Sequence, residues 1–181
     1  MKKVETKLQD VLLFEPRVFG DERGFFMESF NARAFEEMIG RNVNFVQDNH
    51  SKSRKGVLRG LHYQTSKTQG KLVRVVRGKV LDVIVDLRVN SPTFKQWQSF
   101  ELSEDNKRQL WIPEGYAHGF LTLTDEVEFL YKTTDYYAPE YEVSILWNDP
   151  ELAIDWGGEV DETSLSEKDR NGVLFKNAKL F

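Results

Sequence analysis

Val80-Leu81-Asp82-Val83-Ile84-Val85-Asp86-Leu87 reads as a β-strand, because Val83, Val85 and Leu87 alternate with Asp82, Ile84 and Asp86. A period of two is the mark of a half-buried sheet. Arg77-Gly78-Lys79 precedes the stretch and Ser91-Pro92 follows it, both turn signals. The same punctuation continues outward in both directions, at Lys55-Gly56, Pro113-Glu114-Gly115 and Ala138-Pro139. Between the turns lie short runs rich in β-branched and aromatic residues. They predict strands over 43–47, 57–63, 72–76, 80–87, 97–102, 110–112, 120–123, 128–134 and 143–147. Helical spacing is scarce: Phe35, Met38 and Ile39 after an Asn31 cap predict one short helix, and Ser166-Glu167-Lys168-Asp169 predicts a capped final turn. So many short strands point to an all-β sandwich, barrel or jelly roll, since closure protects strand edges.

The chain has 181 residues, 40% hydrophobic and 30% charged, without repeats or low-complexity linkers. Residues 1–181 are therefore expected to form one soluble domain. A net charge of −4 argues against a nucleic-acid surface. No run of eighteen apolar residues exists to span a membrane, and the lysines within Met1 to Asp10 precede no apolar stretch of a signal peptide. The absence of cysteine removes thiolate and disulfide chemistry and suits a reducing cytoplasm.

The histidines are His50, His62 and His118. His62 ends the run Leu58-Arg59-Gly60-Leu61-His62-Tyr63-Gln64. His118 follows a proline-glycine turn in Pro113-Glu114-Gly115-Tyr116-Ala117-His118-Gly119-Phe120. A lone histidine at a strand end is by default a structural residue; two in glycine-flanked positions favour function. The Pro-x-Gly-x-x-His spacing resembles the second motif of the cupin superfamily. Metal-binding cupins carry a His-x-His pair in their first motif, but this chain has His62-Tyr63-Gln64. Two histidines fall short of the three or four ligands that a stable divalent site requires, so no metal is expected.

Longer runs resemble, in order, those of the dTDP-4-dehydrorhamnose 3,5-epimerase family. They are Phe19-Gly20-Asp21-Glu22-Arg23-Gly24-Phe25-Phe26, Phe45-Val46-Gln47-Asp48-Asn49-His50-Ser51, Leu58 to His62, Gln69-Gly70-Lys71-Leu72-Val73-Arg74, Leu110 to Phe120, Glu128-Phe129-Leu130-Tyr131-Lys132 and Leu165-Ser166-Glu167-Lys168-Asp169. The resemblance implies a cupin-like jelly-roll β-barrel with a few short helices, acting as a homodimer without a cofactor. The implied reaction inverts carbons 3 and 5 of dTDP-4-dehydro-6-deoxy-D-glucose, giving dTDP-4-dehydro-L-rhamnose on the way to dTDP-L-rhamnose.

Both carbons flank a ketone, so their protons become removable once a base is placed and the enolate oxygen is stabilised. By resemblance His62 is that base, oriented by Asp169, and Tyr131 is the acid on the opposite face. Lys71 is a candidate to polarise the ketone. His118 is implied to hold the sugar or diphosphate, and Arg59 to grip the diphosphate as a bidentate guanidinium can. Arg23 matches a nucleotide contact, and Phe19 and Phe26 are implied to sandwich the thymine, across a dimer or within one chain. Glu28, Gln47, Asn49, Glu142 and Lys168 match other ligand contacts. Taken alone, each residue also has an ordinary reading. Asp169 and Lys71 could be solvated charges, Tyr131, Phe19 and Phe26 packing residues, and the arginines surface cations. Related chemistry remains open, namely a carbon-3-only epimerase or a 3,4-ketoisomerase. A non-catalytic sugar-nucleotide binder leaves His62, Asp169 and Tyr131 without a task, and a metal-dependent oxygenase lacks a ligand at Gln64. Residues 171–181 match nothing and are expected to be a variable extension.

Overall fold

The computed structural model describes residues 1–181. Along the chain run β1 (Lys2–Glu5), β2 (Leu12–Glu15), β3 (Val18–Asp21), β4 (Gly24–Met27), α1 (Ala32–Ile39), β5 (Gln47–Arg54), β6 (Leu58–Gln64) and β7 (Lys71–Arg77). There follow β8 (Lys79–Asp86), β9 (Trp97–Ser103), β10 (Gln109–Ile112), β11 (Tyr116–Thr122), β12 (Glu126–Thr133), β13 (Glu142–Ser144) and α2 (Glu167–Arg170). One sheet has the order β1-β2-β10-β7-β12-β5, a second β13-β6-β11-β8-β9, and β3 and β4 form a separate hairpin. From β5 to β8 and again from β9 to β13 each successive strand crosses to the other sheet, which is the winding of a cupin-like jelly roll. No helix is long and apolar enough to cross a membrane.

Three apolar clusters explain the shape. Val73, Val75, Ile84, Phe120 and Phe129 fill the space between the sheets. Phe35 of α1 covers Leu12, Phe14, Leu72 and Trp111 on the outside of the six-stranded sheet. Leu58, Leu61, Val83, Val85 and Ile145, on the outside of the five-stranded sheet, are covered by Leu152, Trp156, Leu165 and Phe175 from the C-terminal third. Both faces of the strand are therefore covered, which corrects the half-buried reading of residues 80–87: Val83 and Val85 lie under the C-terminal third, while Asp82, Ile84 and Asp86 face the inside of the jelly roll and are just as buried. Burial alone would raise the Asp86 carboxyl, but bonds from Arg88, Ser91 and Thr93 hold its pKa down to about 2.

Helix α1 follows its caps, Asn31 Oδ1 accepting from Ala34 N at 3.1 Å and Gly40 ending it at φ 74°. The strand expected over 43–47 lies instead at Gln47–Arg54, because Val43 and Phe45 are drawn into the aromatic cluster under α1. The run expected over 143–147 stops at Ser144, and the four strands before α1 went unread, being only four residues each.

The feature that shapes the site is an irregularity in β6. His62 lies opposite His118, yet Arg59 lies opposite Phe120, so one residue too many separates Arg59 from His62. The bulge turns Leu58 and Leu61 outward into the C-terminal cluster and both Arg59 and His62 inward. Gly60 permits it. Its φ is 134°, and an added Cβ would collide with Gly119 Cα and come within 2.9 Å of His118 O. Gly60→Ala should cost on the order of 1–3 kcal/mol from backbone strain alone. Thermal unfolding will check this, at roughly 2–4 °C per kcal/mol for a chain of this size. An unchanged melting temperature would mean that the crossing is looser than described.

Candidate active site

Between the two sheets lies a cavity of about 370 Å³. Its two walls carry different chemistry. Gln47, Asn49, Lys71 and Tyr131 project from β5, β7 and β12 of the six-stranded sheet. Their common face follows from register, Asn49 and Val73 both lying opposite Tyr131, and Gln47 and Lys71 both opposite Thr133. Arg59, His62, His118 and Glu142 come from β6, β11 and β13 of the other sheet, and Lys168 and Asp169 from α2.

His62 Nε2 and Asp169 Oδ1 are 2.5 Å apart. Asp169 is 2% exposed and also receives Gly60 N (3.3 Å) on Oδ1 and the Ser166 hydroxyl (2.7 Å) on Oδ2. Burial would raise the Asp169 pKa, but His62 and these donors bring it below the ordinary carboxylate value. Burial also lowers the His62 pKa, against the pull of Asp169, so the imidazole is neutral at pH 7 beside an ionised carboxylate. The pair leaves the other ring nitrogen free to take a proton.

Lys71 is 8% exposed and has no hydrogen-bond or ion-pair partner; burial lowers its pKa to about 8. Burial and the charge of Glu142 raise that of Tyr131, so its phenol keeps its proton. Arg59 spends two donors only on Ser53 Oγ, at 3.2 and 3.1 Å, and keeps the rest of its guanidinium free. Glu142 ties the rim together, accepting from Lys168 Nζ at 2.9 Å and from the Tyr137 hydroxyl at 3.0 Å.

Several participants were not foreseen. His118 Nε2 is 2.9 Å from Asp82 Oδ2, a second buried His–Asp pair, and Asp82 Oδ1 has no partner at all. Asp82 was legible as an acid on an apolar strand, but only the closed fold buries it. Tyr137 on the rim had no distinguishing spacing. Ser166 did: Ser-x-x-Asp is a capping-box pattern, and Asp169 N donates to Ser166 Oγ at 3.3 Å. Gln64 lies against the cavity but is spent on structure. It donates to Lys67 O (2.6 Å) and accepts from Ala138 N (2.9 Å), stapling the 136–138 loop. No group of three or more His, Cys, Asp or Glu side chains converges as a metal site. The third histidine, His50, pairs with Glu128 at 3.0 Å on the exposed face of its sheet.

Four sequence candidates lie elsewhere in the single chain. Phe19 and Phe26 face each other across the β3–β4 hairpin, 49% and 71% exposed. Arg23 binds Asp21 at 2.6 Å on the same hairpin, and Glu28 accepts from Asn31 Nδ2 at 3.2 Å. None of the four lines the His62 cavity.

A cupin-like jelly roll that holds a buried His–Asp pair, a phenol and a lysine around one cavity has the equipment of a proton-transferring isomerase. The sequence model of the dTDP-4-dehydrorhamnose 3,5-epimerases matches residues 5–177. The Pseudomonas aeruginosa dTDP-4-dehydrorhamnose 3,5-epimerase is 62% identical over 181 residues, covering 100% of this chain and 99% of the relative. Among solved structures, a dTDP-6-deoxy-D-glucose-3,5-epimerase from Legionella pneumophila, in complex with dTDP-4-keto-L-rhamnose, is 53% identical with a TM-score of 0.93. That match covers 98% of this chain and 94% of the other. ChmJ, a 3'-monoepimerase from Streptomyces bikiniensis in complex with dTDP-quinovose, is 32% identical with a TM-score of 0.88, covering 93% and 85%. The chain belongs to the dTDP-4-dehydrorhamnose 3,5-epimerase family, which makes it a sugar-nucleotide isomerase by descent.

Proposed function

We propose that residues 1–181 form one epimerase domain that inverts carbons 3 and 5 of dTDP-4-dehydro-6-deoxy-D-glucose, with His62 as base and Tyr131 as acid. The observation that carries this is the placement of the two groups on opposite walls of one cavity. Inversion needs a proton taken from one face of the sugar ring and another delivered to the opposite face. His62, held by Asp169, removes the proton next to the ketone. The Lys71 ammonium stabilises the charge that develops on the ketone oxygen, a role suited to a buried cation that feels the charges of Glu142 and Asp82 but forms no ion pair with either. Tyr131 donates to the far face, and proton exchange with solvent resets both groups for the second carbon. Protons alone move, so the reaction requires neither metal nor cofactor.

Arg59 and His118 bind the diphosphate and sugar, with Gln47, Asn49, Glu142 and Lys168 at the mouth. The protein acts as a homodimer in the cytoplasm, and the β3–β4 hairpin of a second copy brings Phe19, Phe26 and Arg23 over the thymine. The exposure of both phenylalanines supports this, since an apolar pair that wide open gains by being covered. The resemblance to ChmJ favours one alternative, inversion at carbon 3 alone. Proton NMR of the 4-keto-6-deoxy sugar nucleotide with the enzyme in deuterated water separates the two. Deuterium should enter at both carbons with inversion at both; inversion confined to carbon 3 would establish the monoepimerase reading instead.

A further inference from the structure

Residues 171–181, which carry no group of the reaction, are bonded to the frame that holds His62. Val173 runs parallel to Ile145, donating to Ser144 O and accepting from Leu146 N, each at 2.9 Å. Ile145 exchanges two backbone bonds with Leu61, at 2.9 and 3.2 Å, and Ser144 lies opposite His62 itself. His62 and Asp169 are thus joined by backbone as well as by side chain: from β6 to the 144–146 segment, and from there to the 171–173 segment. Gly172 allows so close a pass. A Cβ there would meet Leu146 N, Ile145 C and Ser144 O at 2.9 to 3.0 Å. Further along, the Tyr63 hydroxyl donates to Lys179 O at 2.8 Å, and Phe181 bonds Leu87 and Val89 through its backbone.

Between these attachments sits Asp149, a carboxylate 2% exposed that takes no part in the cavity. Its Oδ1 accepts from Glu151 N (2.9 Å) and Leu152 N (3.1 Å), and its Oδ2 accepts from Phe175 N (2.8 Å). Buried carboxylates are held in place by such charge-assisted bonds, and removing one acceptor strands a donor. We propose that Asp149 is a positioning residue for the His62–Asp169 pair: it anchors the C-terminal strap, and the strap holds Asp169 against His62.

The consequence falls on one interaction. Burial lowers the His62 pKa; Asp169 is the main opposing influence, Glu142 acts with it and Lys168 against it. Arg59, Lys71, His118 and Tyr131 line the same cavity and are not touched by the strap's anchor. A loosened strap withdraws Asp169, with its α2 neighbour Lys168, and leaves Arg59, Lys71, His118 and Tyr131 in place.

The proposal rests on His62 and Asp169 acting as the base pair, and its test can be read without substrate. Asp149→Asn in the full chain keeps an oxygen for the 151–152 loop and loses the acceptor for Phe175. With three histidines in the chain, each imidazole can be titrated separately by NMR. His62 should titrate about half a unit or more lower than in the wild type. On the epimerase substrate, kcat should fall roughly ten- to hundred-fold with little change in KM, as expected for a small misplacement. A purely structural role would reduce the folded fraction without moving the His62 titration. A folded Asp149→Asn protein whose His62 titrates as in the wild type overturns the proposal, whatever the reaction is. Should the variant not fold, amide exchange on the wild type decides: Val173 and Phe175 should be as protected as Leu61 and Ile145. Fast exchange there would mean that the strap positions nothing.

Discussion

Replacing His62 with alanine is expected to abolish turnover and, with it, deuterium exchange at both carbons. In the proposed mechanism the histidine is the base, its ring held at 2.5 Å from a buried carboxylate. Without it no enolate forms, so Tyr131 has nothing to protonate. Loss of a positioned general base removes about 10²–10⁴-fold in rate, or roughly 3–5 kcal/mol of barrier lowering. Asp169 keeps its bonds from Ser166 and Gly60, so the variant should fold and still bind the sugar nucleotide. A folded His62→Ala protein retaining more than a tenth of wild-type activity would remove His62 from the mechanism.

The same groups set the pH profile. The base works only when neutral, and burial holds the His62 pKa below its ordinary value of 6.5. Activity should therefore persist below the range of a free histidine and fall as pH drops through that lowered pKa. On the alkaline side, the Lys71 ammonium is lost at about pH 8, before Tyr131, whose pKa is raised above 10, gives up its proton. A bell with its upper limb near 8, abolished by Lys71→Gln, is the expected shape.

Tyr131→Phe should separate exchange from inversion. The variant keeps His62, Asp169 and Lys71, so protons are still removed and solvent deuterium still enters. With the phenol gone and the Lys71 ammonium engaged at the ketone oxygen, the proton returns from the His62 side and restores the starting configuration. Inverted product should fall by about 10²-fold or more while measurable exchange remains. The tyrosine ring packs near Phe129, with centroids 6.2 Å apart, and its hydroxyl makes no bond within the protein, so phenylalanine fits the same space. Inversion at the wild-type rate by folded Tyr131→Phe would return Tyr131 to the status of a packing residue.

Most of the extended stretches from residue 57 onward, their turn residues and the Asn31 and Ser166 caps were legible in the sequence. Each depends on a residue and its near neighbours: side-chain period, φ preference, capping chemistry. The resemblance then marked His62, Tyr131, Lys71 and Asp169, and the fold brings the four to one cavity. The tertiary structure decided what lies beyond local reach. A strict period of two would place Arg59 and Leu61 on one face and His62 on the other. The bulge at Gly60–Leu61, possible because Gly119 lies directly opposite, brings Arg59 and His62 to the same side. Asp82 reads as a solvent-facing acid until the jelly roll closes over the inner face that it shares with His118. Asp169 meets His62 across 107 residues, through backbone pairing between segments whose own sequences carry no sign of it. Residues 171–181, whose sequence matched nothing, are bonded into that frame. Local preferences choose strands and caps, but which strands meet, in which register and under what cover is settled by burial, and only the whole chain can supply that.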